Sequence, residues 1–174
     1  YPTGNSAPVL TFKYRDSLPE HALMFTSIFT SIPFDFISRQ SLGGTNLNLY
    51  ILKQLPMPTP DDLKNMTVVE GDQKTPFYEY ILDRALELVW TSHSLDSFGK
   101  QINPNQEPFK WDVSRRRDLR RDIDAAVAKA YEINKDDLSY IFDKFEILKR
   151  KEENEYGEYD RKIKCIEKFE ELTL

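Results

Sequence analysis

Apolar side chains recur along most of this chain at helical spacing. Leu23 or Met24, Ile28 and Ile32, with Phe25 and Phe29 beside them, line one face of a helix. Ahead of them Ser17-Leu18-Pro19-Glu20 has the Ser-x-x-Glu spacing of a capping box, with proline tolerated in the first turn. A helix is predicted from there to Pro33, which disfavours α geometry in the residue before it. Upstream, Val9-Leu10-Thr11-Phe12 is a short β-prone run.

The pattern then changes. Residues 34–58 join two dense apolar runs through a polar turn at 39–46 that contains Gly43 and Gly44, and the stretch is closed by Pro56, Pro58 and Pro60. Paired glycines allow positive φ, so a reversal there presents Arg39, Gln40, Thr45, Asn46 and Asn48. Residues 59–75 are polar and broken by Pro60 and Gly71, which predicts a surface connector with one short turn of helix and the best domain boundary.

Helical periodicity returns afterwards. Thr75 caps a helix with Pro76 in its first turn; Phe77, Ile81, Ala85, Leu88 and Val89 face inward, and Glu79, Asp83 and Glu87 outward. A short helix over 94–101, a loop at 103–108 and an aromatic anchor at Phe109-Lys110-Trp111 precede the longest amphipathic helix, 114–132. Its stripe is Leu119, Ile123, Ala126, Val127 and Ala130. Arg117 and Arg121 fall nearly opposite, flanked by Arg115, Arg116 and Arg120. Asn134 with Asp136 and Asp137 starts another helix, and residues 145–148 are apolar but ambiguous. Residues 149–159 are charged, and Ile163, Ile166, Phe169 and Leu172 mark a last helix. The fold class predicted is α+β, mostly helical: an N-terminal helix with a few short strands, then a C-terminal helical subdomain. The divisions are 1–58, 59–75 and 76–174.

Composition narrows the class. An apolar fraction of 40% beside 30% charged residues suits a soluble globular protein of 174 residues. No apolar run approaches the ~20 residues that cross a bilayer, so no membrane partner is expected. The start, Tyr1-Pro2-Thr3-Gly4, lacks both methionine and a signal-peptide pattern, which suggests a segment of a longer protein. Cys165 is the only cysteine, which fits a cytoplasmic setting and excludes a disulfide framework. A net charge of -5 argues against non-specific nucleic-acid binding by the whole surface, so any such contact is local.

Catalytic signatures are missing. His21 and His93 form no His-x-x-x-His grouping and read as ordinary surface or capping residues; there is no Gly-x-Ser-x-Gly elbow and no Walker lysine. Asp61, Asp72 and Lys74 imitate the acids and lysine of a metal-dependent nuclease but lie in the polar connector. The strongest basic feature is Arg115-Arg116-Arg117-Arg120-Arg121, with a phosphate backbone as its natural ligand. Interleaved Asp118, Asp122 and Asp124 leave open a self-paired face, with Arg120 and Asp124 at ion-pair spacing. The 39–48 turn suits base reading, since arginine bridges guanine and asparagine or glutamine bridges adenine. Asn46 and Asn48 serve equally well as local turn braces.

Phe-Asp-Phe-Ile-Ser-Arg-Gln-Ser-Leu-Gly-Gly-Thr-Asn-Leu-Asn-Leu followed by Leu-Pro-Met-Pro, then Pro-Phe-Lys-Trp-Asp through the arginine helix to Ile133, and finally residues 136–162, from Asp-Asp-Leu-Ser-Tyr to Tyr-Gly-Glu-Tyr-Asp-Arg-Lys, together resemble the C-terminal part of large bacterial adenine-specific DNA methyltransferases and fused restriction-modification enzymes. That part comprises the end of a target-recognition region and a helical tail, more distantly similar to type I specificity subunits. The resemblance covers most of residues 20–165. It implies a non-catalytic piece that recognises and positions double-stranded DNA for an upstream methyltransferase domain of the same chain, which methylates adenine N6 with S-adenosylmethionine. No cofactor is expected within these 174 residues, because the Asn-Pro-Pro-Tyr loop and glycine-rich cofactor loop are absent. On this reading Arg39, Gln40, Thr45 and Asn46 meet bases, and Arg117 and Arg121 meet phosphate. The alternative is a helical docking module that never touches DNA.

Overall fold

A computed structural model describes residues 18–42 and 49–174. Within them the protein is a mostly helical α+β structure, with a small antiparallel sheet at one side. The expected strand at Val9-Leu10-Thr11-Phe12 and the turn residues 43–48 lie outside the described residues.

Helix α1 (Leu18–Phe29) carries the predicted apolar face, and Leu23, Met24 and Ile28 are buried. It ends before Pro33 is reached. Ser31 turns extended (φ -74°, ψ 149°), its hydroxyl accepts from Phe34 N, and Ile32 and Pro33 open α2 (Ile32–Ser41). The expected stop is therefore a start: proline's missing N–H costs nothing in a first turn. Arg39 and Gln40, expected in a turn, form the last turn of α2.

After α3 (Leu49–Leu52), the stretch expected as a connector folds. Thr59 and Asp62 make a reciprocal capping box on α4 (Pro60–Asn65), and the bonds from Thr59 hold the Asp62 carboxyl below its ordinary pKa. Strands β1 (Thr67–Glu70) and β2 (Gln73–Pro76) form a hairpin whose two-residue tip places Gly71 at φ +58°. Leu63 and Val68 from this polar stretch sit in the main core. Asp61, Asp72 and Lys74 are exposed on α4, the hairpin tip and β2.

Helix α5 (Phe77–Val89) buries Phe77, Tyr80, Ile81, Ala85 and Leu86. Val89, expected inward, is exposed. A 3-10 turn (His93–Leu95) leads into α6 (Asp96–Ile102). Helix α7 (Val113–Ala130) lies at the centre, packed by α1, α2, α5 and α10. Then follow α8 (Lys135–Asp143), α9 (Glu146–Tyr156), α10 (Asp160–Glu171) and β3 (Leu172–Thr173), which adds to β1 so that the sheet order is β2-β1-β3. The charged run 149–159 is thus largely helix, stopped by Gly157 at φ +82°. On α10 the inward residues are Cys165 and Phe169, followed by Leu172 in β3, while Ile163 is exposed, because a strict three-residue spacing drifts off a 3.6-residue helix.

One core cluster runs from Met24 and Phe34 through Phe77, Ile123 and Phe142 to Leu172. A second gathers Leu23, Ala85, Leu86 and Trp90. Trp90 is fully buried; its indole N–H donates to Asp96 Oδ1 (3.0 Å), and its ring lies against Gly99, where a Cβ would overlap it. Arg84 with Asp122 (2.8 Å) and Lys168 with Glu70 (2.7 Å) tie α5, α7, α10 and the hairpin together at the half-buried edge.

Candidate functional site

The site is built on α7, and its geometry is set by one buried acid. Asp112 caps the helix by accepting from Arg115 N (2.8 Å), which fixes where the arginine run begins. Three turns on, Asp124 is buried at 1% exposure. Its Oδ1 accepts from Ile32 N (2.9 Å) at the α1–α2 break, and its Oδ2 accepts from Arg161 Nε (2.8 Å) on the first turn of α10. Burial pushes the Asp124 carboxyl above its ordinary pKa, opposed by the Arg161 charge and the bonds it accepts. Arg161 N also donates to Glu152 on α9 (2.7 Å). One side-chain chain therefore positions α1–α2, α7, α9 and α10 relative to each other.

Between α7 and α9 this leaves a groove of about 250 Å³, and a cleft of about 320 Å³ adjoins it toward α1 and α5. Arg116, Arg120 and Arg161 line both. The Arg116 guanidinium lies 3.8 Å from the centre of the Trp111 ring and donates to Leu88 O (2.6 Å). Burial, and next the Arg120 charge, lower its pKa. The Arg117 guanidinium lies 4.2 Å from the Tyr156 ring centre and 3.9 Å from Asp160. The Arg120 guanidinium makes no hydrogen bond or salt bridge to another described residue. Lys151 joins these four arginines, and Glu152 and Glu155 share the lining; Arg161 is answered by Asp124 and Arg117 lies near Asp160, which leaves Arg116, Arg120 and Lys151 as the cations with no acid bonded to them among the described residues. Guanidinium groups backed by aromatic rings and held in a concave wall favour phosphate or carboxylate ligands.

The structure divides the arginine cluster that looked continuous in sequence. Arg121, expected opposite the apolar stripe, is buried and bonded to Asp118 Oδ1 (2.5 Å) and Asp160. Burial lowers its pKa, with Asp118 opposing. Arg115 is taken by a two-pronged bond to Glu87 (2.9 Å for each prong). The expected Arg120–Asp124 pair does not form, because Arg161 occupies Asp124. Of the two arginines expected to meet phosphate, only Arg117 reaches the groove.

At the other expected site, Arg39 is exposed on α2 and paired with Asp35 through two bonds of 2.9 Å, which raise its pKa. Gln40 is exposed beside it, while Thr45, Asn46 and Asn48 lie outside the described residues. Sequence reasoning placed Arg116 and Arg120 in the basic cluster without singling them out, missed Lys151, Arg161 and Tyr156 as site members, and took Trp111 for an anchor only. The exposed Trp111 immediately before a capped arginine helix was the available signal.

Sequence also offered no metal grouping, yet His93, Asp96 and Glu107 bring ligand atoms within 4.8 Å of one another. Their charges are already answered: His93 Nδ1 lies 3.1 Å from Asp96 Oδ2, and Lys100 Nζ 3.2 Å from Glu107 Oε1. Comparison with known protein families, with curated proteins and with solved structures finds no match to this chain.

Proposed function

We propose that this chain positions double-stranded DNA through the α7–α9 groove, as part of an enzyme whose upstream domain methylates adenine N6 with S-adenosylmethionine. The observation that carries the reading is Arg120: a cation with no bonded partner among the described residues, one helical turn from Arg116 in a wall that also holds Arg117 and Lys151. Such a wall is the local electrostatic footprint required of a binder whose net charge is -5. Arg116 and Arg117 are held against rings, so their positions are preset for phosphate. The exposed end of α2, with Arg39 and Gln40, is the candidate for contact with base edges. Arg39 must exchange Asp35 for guanine there. The enzyme context rests on the resemblance of the sequence blocks described above.

The docking-module reading has its own observation: Arg115 and Arg121 are neutralised internally by Glu87 and by Asp118 with Asp160. Fluorescence anisotropy of a labelled duplex between about 50 and 200 mM salt separates the two. The slope of log affinity against log salt falls by about 0.9 for each phosphate that is no longer neutralised, so Arg120→Ala and Arg117→Ala each flatten it by that amount. A duplex that binds with an unchanged slope in both variants removes the groove from the DNA contact. Absence of binding by the native chain favours docking.

A further inference from the structure

We infer that the groove accepts an unpaired base stacked on Trp111, with the flanking phosphates on Arg116 and Arg120; this rests on the DNA-contact reading above. Trp111 is 59% exposed, although tryptophan ordinarily hides most of its area. It is nevertheless held at both ends. Phe109 N donates to Trp90 O (2.8 Å) two residues before it, and Asp112, the next residue, caps α7. One face of the ring is covered by the Arg116 guanidinium at 3.8 Å. The rest of the ring is left to solvent at the mouth of the groove. From α9 Tyr156, 37% exposed, lines the same groove and is backed in the same way by Arg117 at 4.2 Å. Two aromatic rings, each over a guanidinium, with Arg120 and Lys151 in the same lining, reproduce the pairing of stacking platform and cationic track that holds single strands.

A closed duplex does not use this arrangement. Its bases are stacked on each other and show only their edges in the grooves, so an aromatic face gains nothing from them. A base freed from its partner offers a π-face, and every base has one, so the site takes unpaired strand without strong sequence preference. The arginines then contact the same backbone on either side of the freed base, which places this subsite at a junction between paired and unpaired DNA.

The chain carries its own reporter. Trp90 is fully buried, so a ligand-dependent change in tryptophan emission reports Trp111. Oligothymidylate of about eight nucleotides, within the usual span of such sites, is titrated against the native chain and compared with a duplex of equal length. The expected result is quenching by oligothymidylate. Trp111→Ala weakens single-strand affinity about tenfold or more, Trp111→Phe retains most of it, and both keep the salt slope of the native chain. Circular dichroism confirms that both variants remain folded, as substitution of an exposed side chain allows. If duplex binds with the expected slope while oligothymidylate leaves emission unchanged and Trp111→Ala alters neither affinity, stacking is overturned and phosphate contact stands. If neither nucleic acid binds, both readings fall together.

Discussion

Asp124→Asn isolates the charge at the centre of the site. Asparagine keeps an oxygen for Ile32 N but turns an amide N–H toward Arg161, whose side chain is only 19% exposed and bonds Asp124 Oδ2 at 2.6 and 2.8 Å. Removing one member of such a pair leaves a desolvated cation uncompensated, at a cost of about 3–5 kcal/mol. Since the Ile32 bond survives, the lower end, about 3 kcal/mol, is expected. With a urea slope near ~2 kcal/mol per molar, the unfolding midpoint drops by roughly 1.5 M. Urea titration followed by circular dichroism reads this directly. The partner variant Arg161→Gln loses the same interaction, and the double variant, two neutral amides in contact, recovers part of the loss. Coupling of about 1–3 kcal/mol between the sites is expected from a shared pair. A loss below about 1 kcal/mol for Asp124→Asn, or a double variant equal to the sum of the singles, would refute the claim that this pair braces the groove.

Gly99→Ala should destabilise by about 1–3 kcal/mol despite the ~1 kcal/mol helix-propensity gain, because the added methyl meets the Trp90 ring; chemical denaturation checks it. Burial raises the Tyr131 phenol, which donates to Pro56 O, and the Tyr78 phenol, from 10.0 to about 12. Folded-state values raised this way contribute stability that is complete below pH 10 and lost as pH climbs through 12, which urea midpoints measured across that window will show. Cys165 is buried and its thiol is pushed well up by that burial, so an aromatic disulfide reagent should modify it only in denaturant; rapid reaction of the native chain contradicts its placement.

Much of the helical frame was legible because its signals are local. Asn134 ahead of Asp137, and the stripe of Leu119, Ile123 and Val127, act within one or two turns and predict α8 and α7 closely. Pro33 misled because the same residue disfavours the end of one helix and favours the start of the next. Ser31, with a hydroxyl that caps α2, was the deciding residue. The 59–75 stretch looked like a connector because its helix and hairpin bury few apolar residues, Leu63 from α4 and Val68 from β1, and leave a largely polar outer surface. The groove was legible only in part: Arg116, Arg117 and Arg120 stood in the predicted cluster, but which members of that cluster line it did not show. Which arginines stay available depends on acids far along the chain, Glu87 for Arg115 and Asp160 for Arg121, and its fourth arginine, Arg161, arrives from another helix. Periodicity places a charge on a face but does not say what neutralises it.

The β2-β1-β3 sheet exposes backbone at both margins, and such margins invite strand addition from a second copy. Here one margin is Gln73-Lys74-Thr75-Pro76, polar, charged and ending in a residue without an N–H, and the other is two residues long. Neither can template a growing ladder. Strand addition at this sheet is therefore disfavoured, and a concentrated solution should resist fibril formation seeded there.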